Sequence, residues 1–293
     1  MRAHPRSSRS GGQGRNIRLG ALWLGILVLG GGFGAAAWTT LNRPPDAFEL
    51  CQSGHIGVSS IILIDATDML TEIQKRRVKA SIDAERDRLP YGGKLTIVTL
   101  NAADPGQPVE VMSACNPGKA SDSNPLFVTA SKAQKRWAET FDHPITAAIR
   151  EAGASAQSSD SPLIATIAAL PTRPDFDGRT PTRRLVIISD MLEHVRGGYS
   201  HLGGGNFWKS YRASSLPRLA PLELRGVSVA IDYLARSPYA GVQGPAHRQF
   251  WRRLLTQAGA SEVTFIGLPS ADDDELDDMP KPRKSPSPKK KKG

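Results

Sequence analysis

Ile61-Ile-Leu-Ile64 runs straight into Asp65-Ala-Thr-Asp-Met69, and much later Leu185-Val-Ile-Ile188 runs into Ser189-Asp190. Each stretch is a short, unbroken apolar run, the pattern of a strand buried on both faces, and each delivers a carboxylate at its C-terminal end. In an open parallel sheet, ligands bind in the crevice outside those ends. Two such strands side by side would bring Asp65, Thr67 and Asp190 around one hard cation. Ligand sets made only of oxygen suit Mg²⁺, Ca²⁺ or Mn²⁺ rather than zinc.

Working outward, Val58 to Ile64 is read as the first strand. Thr71-Glu-Ile-Gln74 forms a capping box in which hydroxyl and amide satisfy each other's orphan donors, so a helix opens there and runs to about Leu89, where Pro90-Tyr-Gly-Gly breaks it. Lys94 to Leu100 alternates as a second strand. Val109 to Met112 is a shorter third, antiparallel to it across Asp104-Pro-Gly. Helical stretches follow over about 131 to 153, with a break expected at His143-Pro144, and a short helix follows Ser161-Pro162. After the strand Arg184 to Ser189 comes a long Gly-rich loop, about 195 to 221. Val227 to Leu234 is a strand, and Pro245 to Ala258 a helix with Phe250, Trp251, Leu254 and Leu255 on one face. Glu262 to Ile266 is the last strand. Strands alternating with helices predict an α/β domain, doubly wound around a mostly parallel sheet with helices on both faces.

The ends of the chain differ from this middle. The 293 residues carry a formal charge of +10, but residues 1–18 hold Arg2, Arg6, Arg9, Arg15 and Arg18 with no acid, so half of the excess sits there. A nucleic-acid partner is therefore not implied by the net charge. Leu19 to Leu41 contains no charged residue and is long enough to span a bilayer. With the arginines before it, the positive-inside rule places 1–18 in the cytoplasm and everything after 41 outside, in a single-pass bacterial inner-membrane topology with a periplasmic domain. A cleaved signal peptide ending near Ala35-Ala-Ala37 is the competing reading. Residues 42–56, with Pro44-Pro45, are expected to be a linker, and 57–268 the domain. The segment 269–293, acidic and then basic, is expected to be disordered. Cys51 and Cys115 would share an oxidising compartment, so a disulfide between them is expected, the alternative being two free buried thiols.

The order of elements and the placement of the carboxylates resemble the von Willebrand factor A-like family over about residues 56 to 268. In that family the first strand ends in Asp-x-Ser-x-Ser, a middle loop supplies a Thr, and the fourth strand ends in a second Asp. Asp65 matches the leading Asp, Thr67 the first hydroxyl, Ser161 the loop position and Asp190 the second Asp. Met69 departs from the pattern, since a thioether is a poor ligand for a hard cation; Asp68 beside it is the auxiliary candidate. The resemblance implies one Mg²⁺ or Mn²⁺, a protein partner whose carboxylate completes the metal's coordination, and no catalysis.

Three functions compete on this reading. The first is a membrane-tethered module that binds a protein partner through the metal-bearing face, the second a metal-independent scaffold of an envelope or secretion-type complex, the third a metal-dependent hydrolase. His194 and His201, flanking the Gly-rich loop, are candidates for ligand contact. No Ser/His/Asp set can be ordered by motif. Asp65 and Asp190 also have a purely structural account, as caps of the helices that follow them.

Overall fold

The computed structural model describes residues 46–65, 67, 70–122, 129–153 and 158–266. The apolar segment 19–41, the basic segment before it, the tail 269–293 and the residues Asp68 and Met69 lie outside them. Among the described residues no helix is long and apolar enough to cross a membrane.

Six strands form one sheet in the order β3-β2-β1-β4-β5-β6. They are β1 (Val58–Ile64), β2 (Lys94–Thr99), β3 (Val109–Cys115), β4 (Thr182–Ser189), β5 (Val227–Tyr233) and β6 (Glu262–Ile266). All pairings are parallel except β2 with β3, which is antiparallel as the Asp104-Pro-Gly turn predicts. Successive side chains of a strand point to opposite faces, so the unbroken apolar run of β1 has to be covered twice. Ile61 and Leu63 pack with Leu185, Ile187, Leu163, Ile167 and Trp251 on one side. Ile62 and Ile64 pack with Val186, Ile188, Val78, Ile82, Phe141 and Ile145 on the other.

The helices are α1 (Ala47–Gln52), α2 (Glu72–Arg88), α3 (Ala130–Trp137), α4 (His143–Gly153), α5 (Leu163–Ala169), α6 (Phe207–Ala213), α7 (Leu216–Leu219) and α8 (Pro245–Gln257). α2 opens with the expected Thr71–Gln74 capping box. Three stretches differ from the sequence reading. Within 42–56, read as linker, Asp46 and Glu49 form a capping box of their own, with Asp46 Oδ1 accepting from the Phe48 and Glu49 N–H groups, and α1 follows. The Cys51–Cys115 disulfide then ties α1 to the end of β3, with 6.1 Å between the Cα atoms. The break expected at His143-Pro144 is instead a widened π turn, Ala138–Asp142, joining α3 to α4. Proline has no N–H to donate and its ring crowds the preceding turn, and a wider turn ahead of it absorbs both. The loop expected over 195–221 contains α6 and α7. Asn206 caps α6 by accepting from the Lys209 N–H, and Phe207 and Tyr211, four residues apart, are buried on one face.

Candidate functional site

The strand order 3-2-1-4-5-6 reverses direction between β1 and β4, and the crevice of a doubly wound sheet opens at that point. Register makes the two strand ends level: Ile64 is opposite Ile188, and the Asp65 N–H donates to the Ile188 carbonyl at 2.9 Å. Asp65 and Asp190 are thus the residues that leave the sheet at the switch point. Both are buried, at 3% and 5% exposure, so their charge must be met by protein groups.

Asp65 is met by hydroxyls. Its Oδ1 accepts from the Thr67 hydroxyl at 2.7 Å and the Thr67 N–H at 3.1 Å. Its Oδ2 accepts from Ser189 Oγ at 2.8 Å and Ser161 Oγ at 3.1 Å. Ser161 reaches this place because its backbone forms a two-way bridge with His194 in the loop after β4. Of the expected set, Asp65, Thr67 and Ser161 are therefore joined by hydrogen bonds. Ser189 is a member that sequence reasoning missed, although its hydroxyl directly precedes Asp190. Ser189 Oγ also accepts the Met191 N–H at 2.7 Å.

Asp190 is met differently. Its Oδ1 accepts from the Leu192 N–H at 2.9 Å, and its Oδ2 pairs with the Arg236 guanidinium at 3.1 Å. Arg236 lies in the loop after β5, and Gln243 locks that loop to this one. Gln243 Nε2 donates to the carbonyls of Asp190 and Leu234, each at 2.9 Å, while its Oε1 accepts from the Arg236 N–H at 2.6 Å. Burial first, and then the nearby charge of Asp65, push the Asp190 carboxyl up to about 7, against the pull of Leu192 and Arg236. Neither aspartate caps a helix: α2 is capped by Thr71, and the first helix after Asp190 is α6. Both make Asx turns to the N–H two residues on.

Met191, the next residue, has φ of 60°, the only positive value at a non-glycine among the described residues. A left-handed residue with a side chain costs about 1 kcal/mol or more and persists where its surroundings over-determine it. Here Ser189 holds its N–H and Trp251 Nε1 donates to its carbonyl at 2.8 Å.

Behind the turn lies a second buried polar group. Glu193 Oε2 accepts the Ile164 N–H at the start of α5, while its Oε1 has no partner among the described residues, and burial pushes the carboxyl up to about 8. His201, expected to line the loop, is fully buried. Tyr199 donates its hydroxyl proton to the Phe207 carbonyl, so His201 Nε2 must donate to Tyr199 Oη, at 3.0 Å. His201 Nδ1 then accepts from His247 Nε2 at 2.8 Å, and His247 Nδ1 from the Tyr233 hydroxyl at 2.6 Å. This directed chain needs both rings neutral. Burial lowers His201 to about 3 and His247 to about 4. The correction has a simple cause: Phe207 on the next helix and Phe250 and Trp251 on α8, about fifty residues on, enclose the ring. His194 is half-buried and pairs with Ser200 Oγ at 2.9 Å.

Chemically the crevice is a set of oxygen acceptors with a guanidinium, and no histidine reaches the Ser161 or Ser189 hydroxyl among the described residues, so no acyl-transfer triad is assembled. The oxygen-only donor set is of the right kind for Mg²⁺ or Mn²⁺. The charge arrangement is not: Arg236 stands on one of the two carboxylates that would hold the cation, and Met69 stands at the second hydroxyl position of the family pattern. Among the described residues no group of three or more His, Cys, Asp or Glu is placed to hold a metal ion. Asp68 lies outside these residues. No protein-family model matches the sequence, and no similar curated protein was found.

Proposed function

We propose that this chain is a membrane-tethered binding module of the von Willebrand factor A-like type, which captures a protein partner at the crevice between β1 and β4. The observation that carries the reading is the convergence of Asp65 and Asp190, with the hydroxyls of Thr67, Ser161 and Ser189, at the switch point of the sheet. The strand order, with β3 alone antiparallel, and the strained Met191 beside Asp190 support it further. A single-pass anchor at 19–41, with the basic segment inside and the domain on the periplasmic side of a bacterial inner membrane, agrees with the Cys51–Cys115 disulfide, a bond characteristic of oxidising compartments.

The test is site-specific photo-crosslinking in intact membranes. A crosslinker at Ser158 or Arg196, close to the crevice, is expected to capture one partner reproducibly. One at Arg225, which precedes β5 at the opposite end of the sheet, is expected to capture none. Capture from Arg225 alone would move the binding face to that other end and leave the crevice without a role. Reporter fusions after Gly293 are expected to be active only outside the cytoplasm; a cytoplasmic signal would overturn the topology. A scaffold role differs from regulated capture by being constitutive, with crosslinks that survive at all stages of growth.

A further inference from the structure

We infer that Arg236 stands in the place of a divalent cation, so that Asp190 is paired by the protein itself and the crevice works without metal. The inference rests on the von Willebrand factor A-like reading for what the crevice is, but not on which partner binds there.

A cation between two buried carboxylates does one physical thing above all: it offsets charges that burial has stripped of water. Arg236 already does this at Asp190. Its Nε lies 3.1 Å from Asp190 Oδ2, with the two side chains only 13% and 6% exposed. This is not a surface arginine that has folded down onto the nearest acid. Gln243 fixes its backbone N–H at 2.6 Å and holds the Asp190 carbonyl at 2.9 Å with its other end, so one side chain sets the distance between the arginine's loop and the carboxylate's loop. A guanidinium is always charged and, being more weakly hydrated than an ammonium, suits a buried pair.

The other half of the crevice agrees. Asp65 is supplied with four donors, three of them hydroxyl groups, and needs no further partner for its oxygens. Placing a divalent cation beside Asp190 would set it against Arg236 at close range, and the like-charge repulsion in a buried place is large. Met69, in place of the second hydroxyl, removes one of the direct ligands that could offset that repulsion.

The experiment uses the full chain in detergent with Mn²⁺ as the probe, read by thermal melting and by the electron paramagnetic resonance of free Mn²⁺. Wild type is expected to leave 1 mM Mn²⁺ free and to melt at the same temperature with Mn²⁺ or with EDTA. Arg236→Gln is expected to melt lower, to bind Mn²⁺, and to recover by about 5 °C when it is added. In the Arg236→Gln background, Asp190→Asn is expected to restore melting without metal, because the charge that needed neutralising is gone. If Arg236→Gln does not fold, Arg236→Lys, which keeps the charge, is expected to fold and to remain unresponsive to Mn²⁺. Stoichiometric Mn²⁺ binding by wild type, lost in Asp190→Asn, would overturn the inference and restore the cation. Failure of Asp190→Asn to rescue Arg236→Gln would overturn it too, assigning Arg236 to packing. None of these readouts involves a partner, so they stand or fall separately from the crosslinking.

Discussion

Two buried polar networks meet in the segment 189–201, and they are built on opposite principles. The chain Tyr233, His247, His201, Tyr199 is neutral, and each proton in it has one place to go. The crevice above it holds two carboxylates, three hydroxyls and a guanidinium, with one carboxyl pushed up to about 7. A fully paired neutral network rigidifies and specifies a unique packing, whereas a charged one remains sensitive to anything that changes its balance. The first rigidifies the fold, and the second is where the proposed capture of a partner would act. Glu193 belongs to both: its N–H donates toward His201 Nδ1 and its carboxyl group accepts the N–H at the start of α5, beside Ser161.

The sharpest way to break the comparison is at the centre of the neutral chain. His201→Ala leaves a cavity among Phe207, Phe250 and Trp251 and removes partners from His247 and Tyr199, for an expected loss of about 3 to 5 kcal/mol. Chemical denaturation measures it. A loss under about 1 kcal/mol would show that the chain does not organise the core.

Acid should attack the same network. His201 and His247 have folded values below their unfolded one, so the folded state binds fewer protons. Their contribution is complete above about 6.5 and is lost as pH falls toward about 4 and then 3. Melting temperature is expected to fall over that window in wild type and to fall less steeply in His247→Gln.

Glu193 gives the opposite sign, which is the useful contrast. Its folded value is raised, so its contribution is present below about 4.5 and is lost as pH rises through about 8. Glu193→Gln, which stays neutral, is expected to be more stable than wild type at pH 9, with the advantage gone at pH 5. Each pH unit inside the window is worth about 1.4 kcal/mol at most. An advantage of equal size at both pH values would mean that the carboxyl is not the group that titrates.

The smallest effect concerns Met191. Replacing it by Gly relieves the left-handed strain at φ 60° but empties a fully buried site, so the two terms oppose. Met191→Asn separates them poorly; Met191→Gly measured beside Met191→Ala isolates the backbone part, and Gly is expected to be more stable than Ala by about 1 kcal/mol. Equal stability would remove strain from the description of the crevice.

Much of this architecture is legible in the residues themselves, for reasons that are local. The apolar runs 61–64 and 185–188 declare strands buried on both faces, and Thr71 with Gln74 declares the start of a helix. The face shared by Phe250, Trp251, Leu254 and Leu255 declares what α8 packs. Asp65, Thr67 and Asp190 could be grouped because each follows such a strand, while Ser161 entered only through the resemblance to the von Willebrand factor A-like family. The same logic, applied to Asp46 and Glu49, would have found α1 inside the presumed linker.

Only the tertiary structure decided which side chains from distant segments meet. Arg236 is one arginine among many in the sequence, and nothing adjacent to it points to Asp190; their pairing exists because β4 and β5 are neighbours and Gln243 joins the loops beyond them. His201 reads as a loop residue because its enclosure comes from α6 and α8. Periodicity and capping are short-range properties that a chain carries with it before folding. Burial, ion pairing and the direction of a hydrogen-bond chain are set by contacts across the sheet order, and these come into being only when the strands have taken their places.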